Sequence, residues 1–75
     1  MNKSLRVTVN GEPREVETGT TVARLVELLA LAPERLAVEL NREVLRRARW
    51  PETELRDGDR VEIVHFVGGG CVSDW

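Results

Sequence analysis

The sequence has few of the residues that form disulfide bonds or metal sites in small proteins. Its 75 residues include one cysteine, one histidine and no tyrosine. A single cysteine cannot form an internal disulfide, and one cysteine with one histidine cannot complete a structural zinc site. We therefore expect one small domain that depends on its hydrophobic core alone.

Long apolar runs and an excess of basic charge are also lacking. No stretch approaches the roughly 20 apolar residues that span a bilayer, so we expect no membrane segment and a cytoplasmic protein. The 11 Lys and Arg are outnumbered by 13 Asp and Glu, and the signs are mixed along the chain, which does not favour nucleic-acid binding. A chain this small hardly encloses a catalytic cleft beside its core, so a carrier or binding role is expected ahead of an enzyme.

The first twenty residues predict a β-hairpin. Residues 5–9 alternate between apolar and polar, which is the period of a strand with one buried face. Asn10 and Gly11 favour a type I′ turn into a second strand over 12–17. Pro13 removes a backbone donor and confines that strand to a sheet edge.

A helix is predicted after the hairpin. Thr20 or Thr21 can cap its start. The apolar residues that follow recur at helical spacing and form one stripe: Val22, Leu25, Val26 and Leu29, widened by Leu28. The helix should end near Leu31, because Pro33 disfavours helical geometry in the residue before it.

The second half predicts two more strand regions. Residues 36–40 form a third strand, and 41–43 form a tight reversal into 44–45. The stretch 46–56 has no clean period, with Trp50 as its packing anchor. Residues 61–67 are mostly apolar and predict a central strand covered on both faces.

The order strand, strand, helix, strand, strand predicts an α+β fold. A mixed sheet of four to five strands with one main helix on one face is the ubiquitin-like β-grasp arrangement. We expect this domain over residues 1–67 and a flexible glycine-rich tail over 68–75. His65, beside apolar residues of the last strand, is expected to be partly buried.

The last strand runs into Gly68, Gly69 and Gly70. Glycine loses more freedom on ordering than any other residue, so such a run is a poor choice for packing. The run is therefore interpreted as serving something other than packing.

Six short motifs follow one another with the spacing of a known family. They are VNGE (9–12), TVARL (21–25), AVELNREV (37–44), RARW (47–50), RDGDRVEIV (56–64) and VGGG (67–70). In order and spacing they resemble the ThiS sulfur carriers of thiamine biosynthesis. The resemblance covers nearly everything from Leu5 to Gly70, and the molybdopterin synthase small subunit MoaD is a more distant relative.

The resemblance implies that the protein is a cosubstrate without catalytic residues, metal or bound cofactor. In this family a ThiF-type enzyme uses ATP to adenylate the terminal glycine, which corresponds to Gly70. Sulfur from a cysteine desulfurase or another donor then displaces AMP and yields a thiocarboxylate. A thiazole synthase takes up that sulfur, and Gly68, Gly69 and Gly70 enter the partner's active site.

The sequence departs from the family pattern at the reacting atom. ThiS-like proteins normally end at the glycines, whereas the Gly70 carboxyl is here in a peptide bond to Cys71. Three explanations stay open. A protease removes residues 71–75 by cutting between Gly70 and Cys71; or the tail is retained in a repurposed copy that only binds partners; or Cys71 forms a thioester at Gly70 by an acyl shift.

A docking surface is expected beside the arm. By alternation, Val64 and Phe66 lie on the face opposite Val61, Ile63 and Val67, and they face outward if the helix covers that second group. An apolar patch there would bind the adenylating enzyme, unless Phe66 is ordinary core. The alternatives to a thiamine role are a sulfur carrier for molybdopterin or a specialised metabolite, and a non-reacting ubiquitin-like interaction module.

Overall fold

A computed structural model describes residues 3–65, and these residues form one mixed sheet with one α-helix. The elements in chain order are β1 (Ser4–Val9), β2 (Glu12–Glu17), α1 (Val22–Leu28), a 3₁₀ helix (Pro33–Arg35), β3 (Leu36–Leu40), β4 (Glu43–Leu45), a second 3₁₀ helix (Arg47–Glu52) and β5 (Arg60–His65). The strand order is β2-β1-β5-β3-β4, with β1 and β5 parallel and the other neighbours antiparallel. The predicted mixed sheet, the edge position of β2 and the central position of the last strand are confirmed.

The core lies between α1 and one face of the sheet. Its buried apolar side chains are Val7, Val9, Val16, Val22, Leu25, Val26, Leu36, Val38, Trp50, Leu55 and Val61. Leu28 was expected to widen the helical stripe, and this is wrong, because its side chain is 55% exposed. At the helical period Leu28 lies roughly 110° from the centre of the stripe, so it projects from the flank of α1 toward solvent.

Two tight turns of the same kind reverse the chain. Asn10 and Gly11 have φ angles of 51° and 85°, the two positive angles of the predicted type I′ turn. Asn41 and Arg42 have φ angles of 52° and 73° between β3 and β4, so this turn forms without glycine. Glu43, predicted as part of the reversal, already belongs to β4.

The start of α1 is decided between two neighbouring threonines. Thr21 Oγ1 accepts a hydrogen bond from the Arg24 backbone N–H at 3.1 Å, so Thr21 is the N-cap. The Thr20 hydroxyl instead donates to the Glu17 carbonyl at 2.7 Å and is buried. Thr20 therefore closes the turn before the helix.

The end of α1 differs from the prediction. The helix ends at Leu28 rather than near Leu31, because Ala30 adopts a left-handed φ of 58°. The Ala30 N–H donates to the Glu27 carbonyl at 2.9 Å, and the Leu31 N–H donates to the Val26 carbonyl at 3.3 Å. These two bonds are the pattern of a Schellman C-cap, in which glycine normally occupies the left-handed position.

Replacing Ala30 by glycine should therefore stabilise the protein. An L-residue in the left-handed region costs about 1 kcal/mol or more, so Ala30→Gly is expected to raise the free energy of unfolding by about 0.5–1 kcal/mol. Thermal melting gives the measurement. Ala23→Gly, inside α1, is the matched control and should lower stability by about 0.5–1 kcal/mol. A lower melting temperature for Ala30→Gly would contradict the role given to this position.

The segment after β4 is more regular than predicted. Residues expected to have no regular structure form the 3₁₀ helix Arg47–Glu52. Trp50 in that helix is only 3% exposed, and its indole N–H donates to the Leu45 carbonyl at 3.0 Å. The prediction that Trp50 anchors the segment by packing is confirmed.

The expectation that the last strand is covered on both faces is wrong. Glu62 and Val64 are exposed on the face that α1 does not cover, since a single helix shields one side of a sheet. His65 is exposed, not partly buried as predicted. The only α-helix of residues 3–65 has seven residues, and no helix in this range is long and apolar enough to cross a membrane.

Candidate functional site

The predicted site follows β5 in the sequence. His65 is the last residue of β5, and Phe66, Gly68, Gly69, Gly70 and Cys71 lie outside the described residues. The expected boundary between the domain and its tail, at 67/68, lies outside them as well. The described residues include the end of the strand that precedes the glycines in the sequence and the sheet face beside it.

The uncovered sheet face carries apolar side chains next to that strand end. Val64 of β5 is paired with Ala37 of β3, and Val44 of β4 lies farther along the same face, opposite Glu39. Val64 is 51% exposed and Val44 is 60% exposed, whereas Val61 on the other side of β5 is fully buried. We call Val64, Ala37 and Val44 the outer patch. The role of Val64 in docking stays a prediction.

Two carboxylates are paired beside the outer patch. Glu39 and Glu62 are direct partners across β3 and β5, and Glu62 is exposed. Like charges directly opposite on neighbouring strands are unfavourable. This pair therefore does not contribute to the stability of the sheet.

The end of β5 is held by a side chain that the sequence marked only as a turn residue. Pairing of β1 with β5 stops at Val9 and Val61. Beyond it, Asn10 Oδ1 accepts the Ile63 N–H at 2.7 Å, and Asn10 Nδ2 donates to the Ile63 carbonyl at 3.2 Å. The Asn10 backbone N–H also donates to the Val61 carbonyl at 2.9 Å. We call the two side-chain bonds to Ile63 the Asn10 clasp.

A second asparagine holds the beginning of β5. Asn41 Oδ1 accepts the Arg60 N–H at 2.9 Å, and the Asn41 backbone N–H donates to the Arg60 carbonyl at 2.8 Å. Asn41 Nδ2 also donates to Asp59 Oδ1 at 3.0 Å. One feature of the sequence could have indicated these two side-chain roles: an asparagine is the first residue of both two-residue turns.

Metal binding finds no support in the described part of the chain. Between residues 3 and 65 no group of three or more His, Cys, Asp or Glu side chains is placed to hold a metal ion. What this part of the molecule does present is an exposed apolar surface beside a strand that the Asn10 clasp holds.

A five-stranded mixed sheet with one helix on one face, in this strand order, defines a ubiquitin-like β-grasp protein. The sequence model of the ThiS family matches residues 7–70, most of the chain. The chain belongs to the ThiS family. The match ends at Gly70, the residue that the sequence assigned as the reacting one.

Individual relatives agree with this assignment. The sulfur carrier protein ThiS of Thermus thermophilus is 41% identical over 64 residues, which cover 85% of this chain and 98% of that protein. The crystal structure of a thiamine biosynthesis protein, ThiS from Geobacter metallireducens, has a TM-score of 0.76 and 42% identity, covering 88% of this chain and all of that one.

A longer kind of relative is similar as well. The thiazole synthase of Magnetococcus marinus is 42% identical over 66 residues, or 88% of this chain. The chain spans only 20% of the length of that protein and of the Paramagnetospirillum magneticum thiazole synthase. A segment similar to this chain thus exists inside much longer proteins.

Proposed function

We propose that the protein is a sulfur carrier of thiamine biosynthesis that reacts through Gly70. The observation that carries the proposal is the family match over residues 7–70, which ends on the last of three glycines. The similarity to a protein named sulfur carrier protein ThiS, over 98% of that protein's length, supports it. A carrier of this kind would work in the cytoplasm, where its partners would also reside.

The chemistry would take place in partner proteins. The Gly70 carboxylate would attack the α-phosphate of ATP held by a ThiF-type enzyme, and pyrophosphate would leave. The terminal sulfur of a persulfide, formed by a cysteine desulfurase or another donor, would then displace AMP. Cleavage of the sulfur–sulfur bond by a thiol would leave a thiocarboxylate. The partner must supply the positive charge for these steps, because Gly68 and Gly69 carry no functional group.

The outer patch is the surface we assign to docking of the adenylating enzyme. Exposed apolar side chains that precede the glycine run so closely favour a protein contact. Five residues lie between Val64 and Gly70, so the six residue steps from one to the other would span about 20 Å if the arm were extended. That distance suits an active site set back from the contact surface. Phe66, which follows in the same alternation, would extend the patch.

The sulfur acceptor that we propose is a thiazole synthase. Two relatives with this name contain a segment similar to this chain, which is consistent with the two activities working together. Transfer would require release of the arm from the adenylating enzyme and its entry into the synthase.

A free Gly70 carboxyl requires cleavage of its bond to Cys71. We propose that a protease removes the residues after Gly70, because the family match stops there. Two alternatives remain. Either the tail is retained in a protein that only binds partners, or an acyl shift forms a thioester between Gly70 and Cys71.

Intact-mass analysis of the protein from its native host tests the function. The expected species ends at Gly70 and carries one sulfur in place of one oxygen, and it should accumulate when thiazole synthase is deleted. A full-length, unmodified chain under thiamine starvation would contradict the proposal. Accumulation after loss of the molybdopterin pathway instead would assign the carrier to that pathway.

A further inference from the structure

The Asn10 clasp replaces a missing piece of strand. After Val9 the chain turns into β2, so β1 offers Ile63 no backbone group. A side-chain amide carries both an N–H donor group and a carbonyl acceptor, as a peptide group does. Asn10 uses both, at 2.7 Å and 3.2 Å, and so extends the hydrogen bonding of β5 on this side from Val61 to Ile63.

The turn alone does not require this side chain. Glycine and aspartate also tolerate the positive φ of 51° at the first position of a type I′ turn. Only asparagine adds both a donor and an acceptor for Ile63. The choice of residue therefore has a consequence 53 positions away in the sequence, at the end of β5.

We infer that Asn10 is a positioning residue for the reactive arm, an inference that rests on the proposed function. With the clasp, β5 is held on both sides up to Ile63, and His65 is still paired with Leu36 on the β3 side. The strand that precedes the arm is therefore held by both neighbouring strands up to Ile63, and by β3 alone at Val64 and His65. Without the clasp, the last residues of β5 are held by β3 alone.

Loss of the clasp should weaken binding of the partner protein. Residues 63–65 would have to be ordered again when the outer patch docks, and ordering a residue is costly. When only a fraction of molecules is competent to bind, the apparent affinity falls by that fraction, whereas the bound complex is unchanged. The clasp should thus affect the KM for the carrier and leave kcat as it is.

The test measures adenylation of chains that end at Gly70, which retain every described element because β5 ends at His65. Asn10→Gly keeps the positive φ and removes both clasp bonds. We expect its KM to rise about fivefold or more with kcat unchanged. Asn10→Asp keeps the acceptor for the Ile63 N–H and should recover part of the loss, and it serves as the second variant if Asn10→Gly does not fold.

Asn41→Gly is the matched control. It has nearly the same φ, 52°, and also removes side-chain bonds, but at the beginning of β5. We expect a similar loss of melting temperature and an unchanged KM. An equal rise of KM in Asn41→Gly would overturn the inference, since the effect would then be a general loss of stability.

Amide hydrogen exchange of the full chain measures the effect of the clasp on residues 63–65 independently of adenylation. Exchange at residues 63–65 should accelerate in Asn10→Gly and not in Asn41→Gly. Accelerated exchange with an unchanged KM would overturn the positioning role while the proposed function stands. If the unsubstituted chain ending at Gly70 is never adenylated, the proposed function fails, and the positioning role fails with it whatever exchange shows.

Discussion

The chain that ends at Gly70 is expected to form an adenylate with ATP and a ThiF-type enzyme, and the chain that continues through Cys71 is expected to form none. A carboxylate has a charged oxygen that can attack a phosphate, whereas the same carbonyl in a peptide bond has given up that oxygen. The expected effect is complete loss of reaction, not a reduced rate. Pyrophosphate exchange and intact mass give the measurement.

The full-length chain should still bind the enzyme, because the outer patch lies within the described domain. It should therefore act as a competitive inhibitor of the shorter chain. This behaviour is the control that separates loss of chemistry from loss of docking. If the full-length chain is charged without cleavage, tail removal is not required.

The same experiment decides on Cys71. The full-length chain could react with the adenylating enzyme while its Cys71→Ser variant does not. That result would favour a thioester formed between Gly70 and the Cys71 thiol. Charging that persists in Cys71→Ser would contradict both the processing and the thioester explanations. A full-length chain that binds partners and is never cleaved in native extract would favour the interaction module.

Val64→Arg is expected to weaken binding of the adenylating enzyme about tenfold or more. The substitution places a charge in the middle of an apolar contact, where burial without a partner is unfavourable. The free energy of unfolding should change by no more than about 0.5 kcal/mol, because Val64 is 51% exposed on the face that α1 does not cover. Titration calorimetry and thermal melting, measured together, check both expectations.

Leu28→Arg is the matched control for this substitution. Leu28 is 55% exposed, close to the value for Val64, but it lies on α1, on the other side of the molecule. Its replacement should leave binding unchanged. Equal weakening by both variants would argue against a defined outer patch, and weakening by Leu28→Arg alone would move the contact to the helix.

Phe66→Ala tests how far the patch extends. We expect weaker docking with unchanged melting, by the same alternation that exposes Val64. A large loss of melting temperature would instead make Phe66 part of the core. The docking surface would then consist of the outer patch alone.

Local signals in the sequence determined most of the fold. The type I′ turn at Asn10 and Gly11, the cap near Thr21 and the buried stripe of α1 depend on residues a few positions apart, so a single sequence carries them. The edge position of β2 followed from Pro13 alone. The central position of the last strand followed from its apolar composition.

The end of the helix could not be predicted in this way, and alternation along the last strand separated its two faces without showing which of them the helix covers. Alanine disfavours the left-handed angle that Ala30 adopts, so nothing in its identity marks a helix end. The apolar residues of β5 suggested cover on both faces, but a single helix covers only one. Val64 is exposed for that reason.

The sequence by itself determined the chain's turns, its helical and strand periods and the glycine run that carries the proposed chemistry, because each depends on neighbouring residues. Only the tertiary structure decided which sheet face is open and what Asn10 binds. Its partner Ile63 lies 53 residues away, and hydrogen bonds over that separation form only when β1 and β5 are brought side by side.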